Sequence, residues 1–282
     1  MINILSLAPP VPDDYPGASI EKAKNGQGVG SWVHQDKHTL LCKFLIGSHA
    51  AAKRFPSWVF IDPFCGPGRL QVKGESFTRP NGAMIAWLQS IECGRPFDVM
   101  LINDFDSNRT EACKKRLELK GMHNVIAFSG PAKDVVPKMI EQVPIGALCT
   151  VYLDPYNLAL LNYEMISALS TLKYVDFVIN FSTMDLMRNG DLELDPSRAR
   201  FDEVLPGWSS SGPIAKQRLQ EVFISTWMQK IESLGFTFSN SAPMINNDDH
   251  RGIYRLMCFA RHEIPLRVWR DISRNATKDL FS

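Results

Sequence analysis

An α/β protein with a doubly wound, mostly parallel sheet is what this 282-residue sequence predicts, and three observations predict it. Short apolar runs rich in Val, Ile and Phe alternate with stretches of helical periodicity. Three of those runs stop at an aspartate followed by turn residues: Ile61-Asp62-Pro63, Asn103-Asp104-Phe105 and Leu153-Asp154-Pro155. Hydrophobic residues make up 45% of the chain and charged residues 22%, enough for a large core without a disulfide or metal staple.

The elements follow in order. Residues 1–30, with Pro9, Pro10, Pro12, Pro16 and glycines at 17, 26, 28 and 30, read as an irregular N-terminal arm. The main domain runs over 31–272. From Ser31 the pattern is helical, with Trp32, Leu40, Leu41, Phe44 and Leu45 on one face and Lys37 and Lys53 outside it. Trp58 to Ile61 is a buried strand ending at Asp62-Pro63, and Gly66-Pro67-Gly68 is the loop after it. Gly82 to Ile91 is the next helix. Asp98 to Asn103 is a strand, and Ser107 caps the helix Asn108 to Lys120. Val125 to Phe128 (strand), Asp134 to Gln142 (helix), Ala147 to Leu153 (strand), Met165 to Leu172 (helix) and Val175 to Phe181 (strand) continue the alternation. Such alternation gives parallel strands covered on both faces, the Rossmann-like arrangement. Residues 183–213 break the rhythm with a polar insertion that reads as a lid or substrate loop. Helix returns from Ile214 to Leu234, Tyr254 to Ala260 is a closing strand, and 273–282 form a tail.

Charge and cysteine usage narrow the function classes. A net charge of +1 excludes a globally polycationic nucleic-acid coat, though not a local basic face. Cys42, Cys65, Cys93, Cys113, Cys149 and Cys258 lie far apart without a C-x-x-C pair, which argues against a zinc ribbon or disulfide framework and suits reduced thiols. No metal site is expected. The first ten residues lack a basic stretch and carry prolines, unlike a signal peptide. The apolar stretch from Val143 to Leu153 falls short of the roughly 20 residues that span a bilayer. A cytoplasmic protein with no membrane partner is the expectation.

In open α/β sheets ligands bind beyond the carboxyl ends of the strands, where strand order reverses. The glycines at 66 and 68 serve either a tight strand-to-helix turn or close approach of a ligand. A dinucleotide fingerprint needs a third small residue where Gln71 stands, which disfavours an NAD-binding oxidoreductase. Asp62 would repel a diphosphate but attract the cationic amino-acid end of S-adenosylmethionine. Asp104 is placed to accept both hydroxyls of a ribose.

Val59 to Gly68 (V-F-I-D-P-F-C-G-P-G) resembles the first motif of S-adenosylmethionine-dependent methyltransferases. The order of features is similar to the three-Cys-motif partner (TcmP) family: Trp32 and Lys37 near the start, I-N-D-F-D at 102–106, Y-L-D-P-Y-N at 152–157, V-D-F-V-I-N-F-S at 175–182 and the ending at 254–269. The resemblance covers most of 31–272 and implies a class I methyltransferase sheet. It assigns Asp62, Phe64, Gly66, Gly68 and Asp104 to S-adenosylmethionine, and implies a separate three-cysteine partner protein. Asp154-Pro155-Tyr156 resembles a shortened D-P-P-Y motif of amino-group methyltransferases. There the acid accepts from a substrate amine, the proline stiffens the turn and the tyrosine stacks on a base removed from its helix. A nucleic-acid base is the expected acceptor. The chain departs from the family after the third strand, where Ser129-Gly130-Pro131-Ala132-Lys133 supplies no acid for the adenine before Asp134. The rival expectation is a methyltransferase-like fold kept as a non-catalytic binding module.

Other candidates carry less. His34 and His38 have zinc-like spacing but no third ligand and read as surface histidines. Cys65 reads as a small loop residue. The C-terminal excess of arginines, including Arg251, Arg255, Arg261, Arg267, Arg270 and Arg274, reads as a solvated face.

Overall fold

The computed structural model describes residues 2–22, 37–212, 214–246 and 252–274. Trp32, His34, Arg251 and most of the C-terminal tail lie outside these residues.

At the centre of the sheet is β1 (Trp58–Asp62), parallel to β4 (Val99–Asp104) on one side and to β6 (Leu148–Leu153) on the other. Next to β4 lies β5 (Val125–Ser129), and next to β6 lies β7 (Tyr174–Phe181), both in parallel. The long β10 (Gly252–Ala260) runs antiparallel to β7, with β8 (Thr237–Phe238) antiparallel at its far side. The order is β5-β4-β1-β6-β7-β10-β8, with β9 (Met244–Asn246) paired to β10. The sheet is the predicted Rossmann-like, doubly wound, mostly parallel one.

Every residue of β1 and β6 is buried, because helices cover both faces. Alternation assigns Val59 and Ile61 to one core, with Val136 and Met139 of α4 (Ala132–Ile140), Met165 of α5 (Tyr163–Leu169) and Phe223 and Trp227 of α7 (Lys216–Glu232). Trp58 and Phe60 face the other core, with Phe44 of α1 (Lys37–Ala52), Met84 of α2 (Gly82–Glu92), Leu117 of α3 (Ser107–Leu119) and Trp269 of α8 (Glu263–Ser273). From β1 the chain winds outward through β4 to β5, then returns to β6 on the other side. The strand order therefore reverses between β1 and β6, and it is beyond the carboxyl ends at such a reversal that open α/β sheets bind their ligands.

Several local readings shift. Asp106, not Ser107, caps α3: its side chain accepts from the Asn108 amide at 2.9 Å. Helix α4 starts at Ala132, two residues before Asp134. β8, β9 and the small hairpin of β2 (Arg69–Leu70) and β3 (Arg79–Pro80) are too short to leave a period in the sequence. Residues 183–212 begin with α6 (Thr183–Asn189), followed by 3-10 turns at Leu192–Leu194, Arg200–Glu203 and Trp208–Ser210. Though polar in composition, the segment buries Phe201, Val204, Leu205 and Trp208, and the Trp208 ring meets Phe223 of α7 at 4.7 Å. Buried Glu193 accepts from the Arg200 amide at 2.7 Å.

Residues 2–22 of the N-terminal arm hold a 3-10 turn at Leu5–Leu7 and a bridge at Glu21, and they are tied to the domain through buried arginines. Arg116 of α3, 1% exposed, donates to Asp13 Oδ1 at 3.0 Å, to Ser19 O at 2.7 Å and to Pro67 O at 2.6 Å. Arg69 reaches Val11 O at 2.6 Å. The arm is thereby laid against the glycine loop.

Candidate functional site

Three aspartates end the three central strands and meet at the reversal point. Asp62 closes β1, Asp104 closes β4 and Asp154 follows β6. Each was legible as strand-ending punctuation; the parallel sheet brings them side by side.

Asp62 is 1% exposed. Its Oδ1 accepts from the Phe64 amide at 3.0 Å, turning the chain sharply after β1, while Oδ2 has no hydrogen-bond partner among the described residues. Burial, together with the Asp154 and Asp104 charges, pushes its carboxyl well above the usual range; the Phe64 amide and Lys37 only partly oppose this. The neighbouring Gly82, first in α2, has no room for a side chain: a Cβ there would stand 2.9 Å from Asp62 Oδ2. His38 is buried, not at the surface, and its Nε2 accepts from the Gly82 amide at 3.3 Å.

The glycine loop owes its shape to Gly66 and Gly68, at φ +57° and +85°, a region costly for other residues. Gly68 also sits where a Cβ would press on Met84 and the Cys113 backbone. Phe64 is half-buried and packs on the core that holds Val59 and Ile61. Cys65 is buried, and burial pushes its thiol well up, which suits an inert loop residue.

Asp104 accepts from the Gly66 amide at 3.2 Å through Oδ2 and from the Asp106 amide at 3.0 Å through Oδ1. Arg109, in the first turn of α3, places its Nε 3.4 Å from Asp104 Oδ2 and pairs through Nη2 with Glu21 of the arm. Burial would lower the Arg109 guanidinium, but Glu21 and Asp104 outweigh it and raise it.

Asp154 is held on every side. Lys37 Nζ lies 2.9 Å from Oδ1 and 2.7 Å from Oδ2, Asn180 Nδ2 donates to Oδ1 at 2.6 Å, and the Tyr152 hydroxyl donates to Oδ2 at 3.3 Å. Burial would raise this carboxyl; Lys37, His38 and Asn180 together hold it below its ordinary value. Pro155 is buried, whereas Tyr156 is 73% exposed at the rim. The loop behind it is pinned by Asp185 of α6, which accepts from the Leu158 amide at 2.8 Å.

Sequence reading missed Glu21 and Arg109. Lys37 and Asn180 stand in the sequence motifs at the start of the domain and at 175–182, where the sequence gives them no role. The acid-poor turn after β5 stays so: Asp134 is exposed in the first turn of α4, while the Gly130 amide donates to Asp104 O at 3.1 Å. Of the C-terminal arginines, Arg261 donates to the carbonyls of Leu172 and Ser170 and covers the Phe236 ring, at the amino end of the parallel strands and far from the three aspartates. Among the described residues no cluster of His, Cys, Asp and Glu is arranged to hold a metal ion, and no helix is long and apolar enough to cross a membrane.

No family model matches the chain, and no curated protein matches it. Its structure is similar to Trm1 from Pyrococcus horikoshii, solved in complex with S-adenosyl-L-methionine (10% identity, TM-score 0.46, 86% of this chain and 58% of that one). It is similar also to the O-methyltransferase TomG from Streptomyces achromogenes in complex with SAM (14% identity, TM-score 0.44, 78% of each chain). A third is an rRNA methylase from Streptococcus thermophilus (11% identity, TM-score 0.42, 81% of this chain and 98% of that one). The chain thus spans 58% of the length of the first of these.

Proposed function

We propose that the chain is an S-adenosylmethionine-dependent methyltransferase whose acceptor is an amino group of a nucleic-acid base. The observation that carries the reading is the juxtaposition of Asp62, Asp104 and Asp154 with the Gly66–Gly68 loop at the reversal point of the sheet. The residues fit the cofactor. Asp62 Oδ2 is a buried carboxylate oxygen without a partner among the described residues, suited to an ammonium group, and Gly66 and Gly68 let the backbone approach a ligand closely. Asp62, Phe64, Gly66 and Gly68 would hold the amino-acid part and Asp104 the ribose hydroxyls.

The cofactor supplies an already activated methyl group, so the chain's task is positioning and exclusion of water rather than acid-base help. Asp154, fixed by Asn180 and Tyr152, presents a carboxylate on the Asp62 side of the reversal point. Buried Pro155 stiffens the turn, and exposed Tyr156 offers a ring on which a base stacks. A cytoplasmic setting goes with six buried free thiols, and a separate three-cysteine protein belongs to this reading as a partner.

Purified protein incubated with labelled S-adenosylmethionine and mixed nucleic acids tests the proposal. Asp154→Ala should abolish transfer and leave cofactor affinity within a few-fold, since its contact is with the acceptor. Tyr156→Ala should cost about 1–3 kcal/mol of acceptor binding and Tyr156→Phe far less. A second reading, a non-catalytic binding module, is favoured by one observation: Lys37, Asn180 and Tyr152 already occupy the Asp154 oxygens. Cofactor binding without transfer to any nucleic acid, partner protein included, would select it.

A further inference from the structure

The Glu21–Arg109 pair has no role in the site as described so far. Glu21 enters from the N-terminal arm, and its backbone is fixed by a bridge to the strand after the glycine loop: its amide donates to Arg69 O at 2.8 Å, and its carbonyl accepts from the Gln71 amide at 2.9 Å. The side chain then turns onto Gly66. A Cβ placed on Gly66 would lie 3.3 Å from Arg109 Nη2 and 3.5 Å from Glu21 Oε2. A carboxylate held by a guanidinium thus rests on the glycine loop, beside Asp104.

An amino-acid moiety bound here is a zwitterion, and its two charges need two partners of opposite sign. Asp62 meets the ammonium, as proposed above. The carboxylate needs a cation; Lys37 is engaged with Asp154, whereas Arg109 stands over Gly66. Bidentate guanidinium–carboxylate pairing is the strongest form such recognition takes. Side-chain exposures of 30% for Arg109 and 24% for Glu21 leave both within reach of water, so the Glu21 carboxylate can swing out while its backbone stays bridged.

We propose that Arg109 is the receptor for the carboxylate of the bound amino-acid moiety, and that Glu21 is an internal carboxylate keeping that place until the ligand displaces it. The proposal rests on the S-adenosylmethionine reading of the reversal point. The exchange is one carboxylate for another on the same guanidinium, with no bond made or broken. Glu21 lowers apparent affinity by the fraction of molecules in which it holds Arg109.

Calorimetry on the full chain with S-adenosylmethionine and with its decarboxylated analogue tests this. Glu21→Gln should tighten S-adenosylmethionine binding about tenfold while leaving the analogue, which displaces nothing, unchanged. Glu21→Ala should do the same. Arg109→Gln should erase the preference for the carboxylate-bearing ligand, and thermal unfolding would confirm that each variant is folded. Equal weakening of both ligands by the Glu21 variants would make Glu21 a strap for the arm and overturn the proposal alone, as would an unchanged affinity for S-adenosylmethionine. A wild-type chain that binds neither ligand would overturn the cofactor reading and this inference with it.

Discussion

Lys37 Nζ sits 2.7 Å from Asp154 Oδ2, joining the start of α1 to the turn after β6 across 117 positions of sequence. The pair sets the charge state of the residue that would meet the acceptor. A group whose folded pKa is depressed adds stability above its unfolded pKa, and that stability is lost as pH falls through the folded value.

Lys37→Met should therefore destabilise the protein by on the order of 2 kcal/mol at neutral pH, because it leaves a half-buried carboxylate without its cation. The difference from wild type should shrink as pH falls from 3.8, the ordinary carboxyl value, toward the depressed value at which the folded Asp154 takes up its proton. Urea unfolding at pH 7 and pH 3 reads both numbers. A pH-independent difference would refute the pairing.

Asp62 is shifted the opposite way. Its stability contribution is fully present below the unfolded pKa and is lost as pH rises through the raised folded value. Asp62→Asn keeps the shape and removes the charge, so it should stabilise the fold at neutral pH and above while weakening S-adenosylmethionine binding. Parallel unfolding and binding measurements check this trade. Loss of both stability and binding would mean that the carboxylate is structural.

Asp176, at the start of β7, serves as a control away from the reversal point. Burial raises its carboxyl from 3.8 to about 7. Between those values the unfolded chain ionises while buried Asp176 keeps its proton, so stability falls as pH rises, by up to about 4 kcal/mol. Asp176→Asn should gain little at pH 4 and most of that amount at pH 8, with cofactor binding untouched. Chemical denaturation across this range is the measurement.

Arg116 fastens the arm. Arg116→Ala removes its bonds to Asp13, Ser19 and Pro67 and should cost on the order of 3 kcal/mol. Limited proteolysis should then cut within residues 13–22, whereas the wild type should resist cleavage there. Unaltered protection would show that the arm is held by other contacts.

The alternation of apolar runs and helical periods was enough to read the parallel strands, because a strand buried on both faces is mostly apolar and its short length, β-branched content and flanking turn residues set it apart from the helices. Asp62, Asp104 and Asp154 were legible for a related reason: a polar residue ends a buried run where the chain leaves the sheet. What could not be read is which distant residues close on those aspartates. Glu21 meets Arg109 across 88 positions and Asp13 meets Arg116 across 103, so no local period records them. His38 reads as a surface histidine in a sequence that offers it no third metal ligand, and the packing of α1 against Gly82 puts it inside. Likewise, the polar composition of 183–213 hides Phe201 and Trp208, whose burial depends on where α7 lies. Periodicity and punctuation are properties of neighbouring residues and survive in one dimension. Charge pairing and burial depend on through-space distance, and in this chain the crossovers of the doubly wound sheet set those distances.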